Sequence, residues 1–291
     1  MSSLKEIKER ISSVRSTLKI TSAMKLVSSA KLRKAQSQIE SMRPYERALQ
    51  TVLSELSDSP ARYEDAGPAD SRAESGSNRV AIVAISSNSS LCGAFNANVI
   101  RELDAHVTAL RSEGLDVVVI PIGKKVADYC RKNGFTPEAD YSMLVGRSNY
   151  TETAALAQSL VDRFLSGEFS AVRLVYNHFV STSCQKVVVE DYLKAGDLDV
   201  KVSESADFGG VIVEPGKQEL LEMLLPKVIK LKLYTAVLDS VAAEHSARVV
   251  AMQTASDNAE DLLQELSIEF NKGRQQKITA ELLDIVGGTM S

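Results

Sequence analysis

Three histidines, His106, His178 and His245, are the chain's whole supply of imidazole, and each falls in a different predicted element, so none is placed to serve another group as base or orienter. The acidic residues that could supply a second catalytic group, Asp65, Glu190 with Asp191, and Glu260 with Asp261, sit in surface-like contexts. Cys92, Cys130 and Cys184 are odd in number, far apart and without CxxC spacing. They read as reduced, mostly buried thiols, with neither a disulfide framework nor a zinc site. No nucleophile, base and orienter can be assembled, so the sequence assigns no catalytic residue, no metal ligand and no cofactor.

A phosphate cradle is the remaining chemical option. The segment Ser86-Ser87-Asn88-Ser89-Ser90-Leu91-Cys92-Gly93-Ala94-Phe95-Asn96 follows a predicted strand and opens a predicted helix, the place where an α/β domain holds a phosphate. It has one glycine and matches neither GxGxxG nor the GxxxxGK motif, and no lysine is set to reach a phosphate. A polar turn with a helix cap is the expected structure.

These residues are positioned by an α/β centre. Val80–Ile85 reads as a buried strand, residues 96–111 as an amphipathic helix and Val117–Ile120 as a second strand, which predicts a parallel pair with a right-handed crossover. Further helices are expected at Lys124–Lys132 and Glu152–Leu165, separated by a loop containing Gly134, Pro137 and Gly146. Strands at Ser170–Tyr176 and Lys186–Glu190 form a hairpin through Ser181–Ser183, and a last strand covers Gly210–Val213. The predicted fold is α/β, with a Rossmann-like mixed sheet between two long terminal helices.

Those helices dominate the chain. From Leu221 the positions Leu224, Val228, Leu231, Thr235, Leu238, Ala242, His245, Val249, Met252, Ser256, Ala259, Leu263, Leu266 and Phe270 follow at steps of three and four, all apolar except Thr235, His245 and Ser256. A sustained 3.5-residue repeat marks a left-handed coiled coil. A matching seam runs through Leu4, Ile7, Ile11, Val14 and Leu18, and again through Leu32, Ala35, Ile39, Met42, Tyr45, Leu49, Val52 and Leu56. A phase slip is expected between Leu18 and Leu32, where Ile20, Met24 and Val27 leave the register. The two helices are thus expected to pair antiparallel, His245 packing on the seam. At 1.5 Å per residue they reach roughly 80 and 100 Å, against roughly 35–40 Å for the domain between them. Pro44 and Pro226 predict kinks. The boundaries read as an N-terminal helix over 1–57, a linker over 58–78, the α/β domain over 79–214 and a C-terminal helix over 215–291.

The net charge of −4 is uneven: residues 1–50 hold eleven Lys and Arg against four Glu, a balance of +7. One aromatic, Tyr45, stands in that segment, and no nucleic-acid-binding module is present, so nucleic acid is not an expected partner. Within residues 20–36, small residues at Ser22, Ala23, Ser28, Ser29 and Ala30 let another surface come close, while Lys25, Lys31, Arg33 and Lys34 are set to meet acidic groups. Contact with a partner protein, with Arg33 and Lys34 acting through charge, is the expected use. No stretch has the eighteen or more uncharged apolar residues of a membrane span, and the amphipathic start is unlike a signal peptide, so a cytoplasmic location is expected.

The opening Ser3-Leu4-Lys5-Glu6-Ile7-Lys8-Glu9-Arg10-Ile11, the segment over residues 20–36, and the C-terminal stretches Glu244-His245-Ser246-Ala247-Arg248, Met252 to Ala259 and Asn271-Lys272-Gly273-Arg274-Gln275 closely resemble the gamma subunit of F-type ATP synthase. The likeness runs on through Ile278-Thr279, Glu281-Leu282 and Ile285 to Gly288. It implies a non-catalytic rotor, the central stalk, whose helices enter a head of alpha and beta subunits while the α/β domain stands on the c-ring beside epsilon. Catalysis then lies on beta. It further implies head contacts by Met24, Lys25, Arg274, Gln275 and Thr279, and a peripheral place on the cytoplasmic face of a bacterial inner membrane, reached only through the complex. Asn88-Ser89-Ser90 and Ala94 depart from the family's Leu-Cys-Gly-Gly-Phe-Asn motif and its lead-in, and Gly273 replaces a common alanine. The cysteine-bearing insertion of chloroplast members is not apparent, so no thiol switch is expected. The competing reading, a coiled-coil scaffold with a ligand-binding α/β domain, requires a phosphate loop.

Overall fold

A glycine-free run with a single proline can hold one helix for a very long way, and residues 4–56 do so. The computed structural model describes residues 4–56, 77–135, 137, 139–147, 149–194 and 216–288. In chain order the elements are α1 (Leu4–Leu56), β1 (Arg79–Ile85), α2 (Phe95–Ser112), β2 (Asp116–Ile122), α3 (Lys124–Lys132), α4 (Ser142–Arg147), α5 (Tyr150–Leu165), β3 (Ala171–Ser181), β4 (Cys184–Lys194) and α6 (Lys217–Gly288). Helix α6, 72 residues long, persists on both sides of Pro226, as α1 does around Pro44. The expected strand at Gly210–Val213 and the expected linker, apart from Ser77 and Asn78, lie outside the described residues. The chain divides into two compact units, residues 1–30 with 248–291, and residues 31–247.

The larger unit holds a four-stranded sheet in the order β2-β1-β3-β4, with β1 parallel to both neighbours and β3 antiparallel to β4. Successive side chains of a strand point to opposite faces. Val80, Ile82 and Ala84 of β1 accordingly join Val99, Leu103 and Val107 of α2 and Val126 and Cys130 of α3 in one core. Ala81, Val83 and Ile85 pack on the other face with α5 residues Leu156 and Leu160, with Leu225, Ile229 and Leu233 of α6, and with Leu32 and Ala35 of α1. Each such large side chain contributes roughly 1.5–3 kcal/mol by leaving water. Tyr192, 2% exposed, spends its hydroxyl on the Ile229 carbonyl at 2.8 Å, which ties β4 to α6 through the core.

Three expectations need correction in this unit, and a fourth, that the thiols are mostly buried, holds for two of the three. The loop after α3 contains a short helix, α4, with Gly146 inside it; Asp140 starts it by accepting the Ser142 N–H at 2.9 Å, and that bond holds the Asp140 carboxyl below its usual range. The hairpin strands are longer than expected because α6 grips them: Asp239 Oδ1 accepts the Phe179 N–H at 3.0 Å, and Ser246 Oγ donates to the Thr182 carbonyl at 2.7 Å. Cys184 is exposed at the start of β4, while Cys92 and Cys130 are buried. Tyr45, expected on the α1 seam, is 49% exposed. The seam of α1 steps from half-buried Met42 to half-buried Glu46 and then to buried Leu49, whose cluster includes Leu231, Tyr234 and Leu238 of α6.

Candidate interaction surface

In the smaller unit α1 and α6 pair antiparallel. Leu4 lies against Gly273, Thr21 Oγ1 is 2.8 Å from Ser256 Oγ, and Lys25 Nζ donates to Gln253 Oε1 at 2.8 Å, so the numbers of facing residues sum to 277 or 278. On α6, Met252, Ser256, Ala259 and Leu266 are buried and Val249, Leu263 and Phe270 half-buried, in agreement with the heptad seam. On α1 the expected phase slip does not occur. Ile7, Ile11, Val14, Leu18, Thr21, Lys25 and Ser28 follow at steps of four and three, and all are buried or half-buried.

The unbroken register inverts the polarity of this stretch. Thr21 and Ser28, at 8% and 4% exposure, occupy core positions, while Ile20, Leu26 and Val27 are turned outward, each more than half exposed. Buried hydroxyls stay acceptable here because each finds a partner. Thr21 Oγ1 lies 3.1 Å from the Leu18 carbonyl as well as facing Ser256, and Ser28 Oγ donates to the Met24 carbonyl at 2.8 Å. Lys25 lays its stem along the seam and carries its ammonium to Gln253. Exposed apolar side chains continue on α6, through Ile268, Ile278, Leu282, Leu283 and Ile285. A helix pair that buries hydroxyls and displays isoleucine and leucine presents its apolar surface to something else.

The expected contact residues occupy three places. Met24 and Lys25 are half-buried on α1, level with Gln253. Arg274, Gln275 and Thr279 are exposed on α6, beyond the level of Leu4, and Thr279 Oγ1 donates to the Gln275 carbonyl at 2.9 Å. The 21 residues from Gln253 to Arg274 separate these two sets by about 30 Å of helix, so the structure does not bring them into one cluster. Arg33 and Lys34, exposed on α1, belong to the larger unit. Type-by-type reading took Ile20, Met24 and Val27 as a phase slip and did not single out Leu26; counting sevens from Leu18 through Lys25 to Leu32 exposes the outward Ile20, Leu26 and Val27.

The expected cap is not on α2, whose N-cap residue Ala94 makes no side-chain cap; the polar groups of the segment Ser86–Asn88 turn to α3 instead. The Lys124 N–H donates to Asn88 Oδ1 at 3.1 Å, the Lys125 N–H to the Ser87 carbonyl at 3.2 Å and the Val126 N–H to Ser86 Oγ at 2.9 Å, so the first turn of α3 is capped from within. Gly123, at φ +102°, brings the backbone so close that an added Cβ would lie 2.2 Å from the Ser86 carbonyl oxygen. The crevice where β1 and β3 lead out in different directions is filled as well. Asn177, 1% exposed, donates to the Phe95 carbonyl at 3.2 Å, and Cys92 and Phe95 pack on Ala243 and Ala247 of α6. The histidines are scattered: His106 pairs with Glu102, His178 with Asp239, and His245 is buried on α6. Among the described residues no group of His, Cys, Asp and Glu could hold a metal ion, and no helix is long and apolar enough to cross a membrane.

A family model described as ATP synthase matches residues 3–291. The ATP synthase gamma chain of Phocaeicola vulgatus is 48% identical over 294 residues, covering 100% of both chains. That of Flavobacterium johnsoniae is 42% identical, covering 99% of this chain and 98% of that protein. Among solved structures, the fold matches a chain of the Euglena gracilis mitochondrial ATP synthase (OSCP, F1 and c-ring, rotational state 3) with a TM-score of 0.67 at 20% identity, over 99% of this chain and 93% of that one. It also matches a chain of the central stalk and c-ring of the Tetrahymena thermophila mitochondrial ATP synthase, with a TM-score of 0.59 at 23% identity, over 81% and 99%.

Proposed function

The chain belongs to the ATP synthase gamma-chain family, and from that premise we propose that it is the central shaft of a rotary ATP synthase, carrying torque between an ion-driven c-ring and a catalytic head of alpha and beta subunits. The observation that supports this most is the inverted helix pair: hydroxyls inside at Thr21, Ser28 and Ser256, with Ile20, Leu26, Val27, Ile278, Leu282 and Leu283 displayed outside. Such a surface suits a bearing that encloses the helices and lets them turn. In this reading residues 1–57 and 215–291 supply the shaft and residues 79–214 the foot, which meets epsilon and the c-ring. Catalysis resides on beta, and this chain holds no catalytic residue. Met24, Lys25, Arg33, Lys34, Arg274, Gln275 and Thr279 face the head, the basic ones meeting acidic groups of beta. The protein reaches the cytoplasmic face of the bacterial membrane through the complex.

Reconstitution tests the reading. Alpha and beta subunits from the same source, mixed with this chain, are expected to yield a complex holding one copy of it, with ATPase activity that depends on its presence. A chain that elutes separately and leaves the activity unchanged would reject the shaft. Glu at both Arg33 and Lys34 is expected to weaken assembly, most at low ionic strength, because exposed charges more than about 10 Å apart are screened at about 0.1 M salt; equal assembly at low salt would remove those two residues from the contact.

A further inference from the structure

Of the α1 seam positions Leu32, Ala35, Ile39, Met42, Glu46 and Leu49, five are apolar and one is a carboxylate. Glu46 is half-buried, and among the described residues it makes no hydrogen bond and no ion pair. Its surroundings account for that. On β4, Glu190 takes Lys232 Nζ of α6 at 2.7 Å and the Tyr176 hydroxyl of β3 at 3.0 Å. The same Lys232 donates to the Asp191 carbonyl at 2.9 Å, and the Asp191 carboxylate holds Arg173 at 3.0 Å. On α6, Asp239 is engaged by His178 and by the Phe179 N–H.

Four carboxylates, Glu46, Glu190, Asp191 and Asp239, therefore share Lys232, Arg173, Arg43 and a histidine that is charged only when protonated. Lys232, Arg173 and His178 are already committed, which leaves Glu46 with Arg43, one turn earlier and exposed on its own helix. Burial pushes the Glu46 carboxyl above its ordinary range; Arg43 offsets part of this and the nearby Glu190 adds to it.

We propose that Glu46 makes the packing of α1 in the sheet-bearing unit responsive to protons: ionised, it is a half-buried charge that Arg43 compensates only in part and that loosens the helix against β4 and α6, and neutral, it packs as an ordinary seam residue. The direction follows from linkage. A carboxyl whose folded pKa lies above its unfolded value costs stability at high pH, and that cost disappears as the pH falls from the raised value toward the ordinary 4.5.

Thermal unfolding of the full chain tests it. All eight tyrosines lie within residues 31–247, so their fluorescence reports on the unit in question. Glu46→Gln is expected to raise Tm by roughly 2–4 °C at about pH 8 and to differ little from the parent at about pH 4, below the ordinary 4.5, where the carboxyl is largely protonated in both states. Every other ionisable group is common to the two proteins, so the difference between them isolates Glu46. Glu40→Gln, an exposed position on the same helix, is expected to leave Tm unchanged at both pH values. An equal shift at both pH values, no gain at the higher one, or the same gain from Glu40→Gln would overturn the proposal.

Discussion

The two units hold the same pair of helices together by opposite means. In residues 31–247, α1 and α6 meet through Leu49, Leu231, Tyr234 and Leu238, with a sheet beside them; in the other unit they meet through Thr21 with Ser256 and Lys25 with Gln253, between apolar layers such as Ile7 and Leu266. The first arrangement maximises apolar burial. The second gives some of it up and turns isoleucine, leucine and valine outward. A seam is thus a place to trade cohesion against surface chemistry, with no change in its period.

The comparison breaks most visibly at its apolar end. Leu231→Asp combined with Leu238→Asp introduces two charges at positions 3% and 0% exposed, and is expected to cost more than about 5 kcal/mol. The tyrosine unfolding transition should disappear at room temperature, and on the shaft reading ATP synthesis goes with it; full ion-driven synthesis by the double variant would sink the idea that torque passes through a paired shaft. Asp239→Ala comes next. It removes the acceptor for the Phe179 N–H and the partner of His178, for an expected loss of about 2 kcal/mol in denaturant titrations.

At the polar end the expected effects are smaller and unequal. Thr21→Val leaves the Ser256 hydroxyl buried without its partner and should cost about 1 kcal/mol, whereas after Ser256→Ala the Thr21 hydroxyl still has the Leu18 carbonyl. Far-UV unfolding curves should therefore rank Thr21→Val as the more damaging, and the double variant as less damaging than the sum; equal, additive losses would mean that the hydroxyl pair carries no coupling. The smallest effect is expected at Gly273. An added Cβ meets Leu4 Cδ2 at 3.0 Å, the far end of a flexible side chain, so Gly273→Ala should stabilise the pair by about 0.5 kcal/mol through helix propensity. A loss would show that Leu4 cannot move aside.

Period was legible in the sequence, polarity less so. The heptads of α6 follow from side-chain spacing and the buried strand β1 from its short β-branched apolar run, and both were readable without a structure. The track of α1 was obscured because Lys25 and Ser28 look like surface residues by type, and because Tyr45 looks more apolar than Glu46. Helix α4 and the long hairpin depend on contacts from elsewhere, the Asp140 cap and the grip of Asp239 and Ser246, which no local pattern announces. Nothing in the spacing around Arg274, Gln275 and Thr279 singles them out as contacts; resemblance alone does that.

The facing residues of the smaller unit pair by a sum that varies by no more than one, Leu4 with Gly273 and Thr21 with Ser256 at 277 and Lys25 with Gln253 at 278. Two strips of a zip fastener obey the same arithmetic, and they tolerate a change in length only when both strips change together. A heptad inserted into one helix alone would leave about 10 Å of its seam facing nothing. Relatives with longer or shorter helices should therefore have gained or lost whole heptads at both ends of the chain at once, two distant edits forming a single heritable unit.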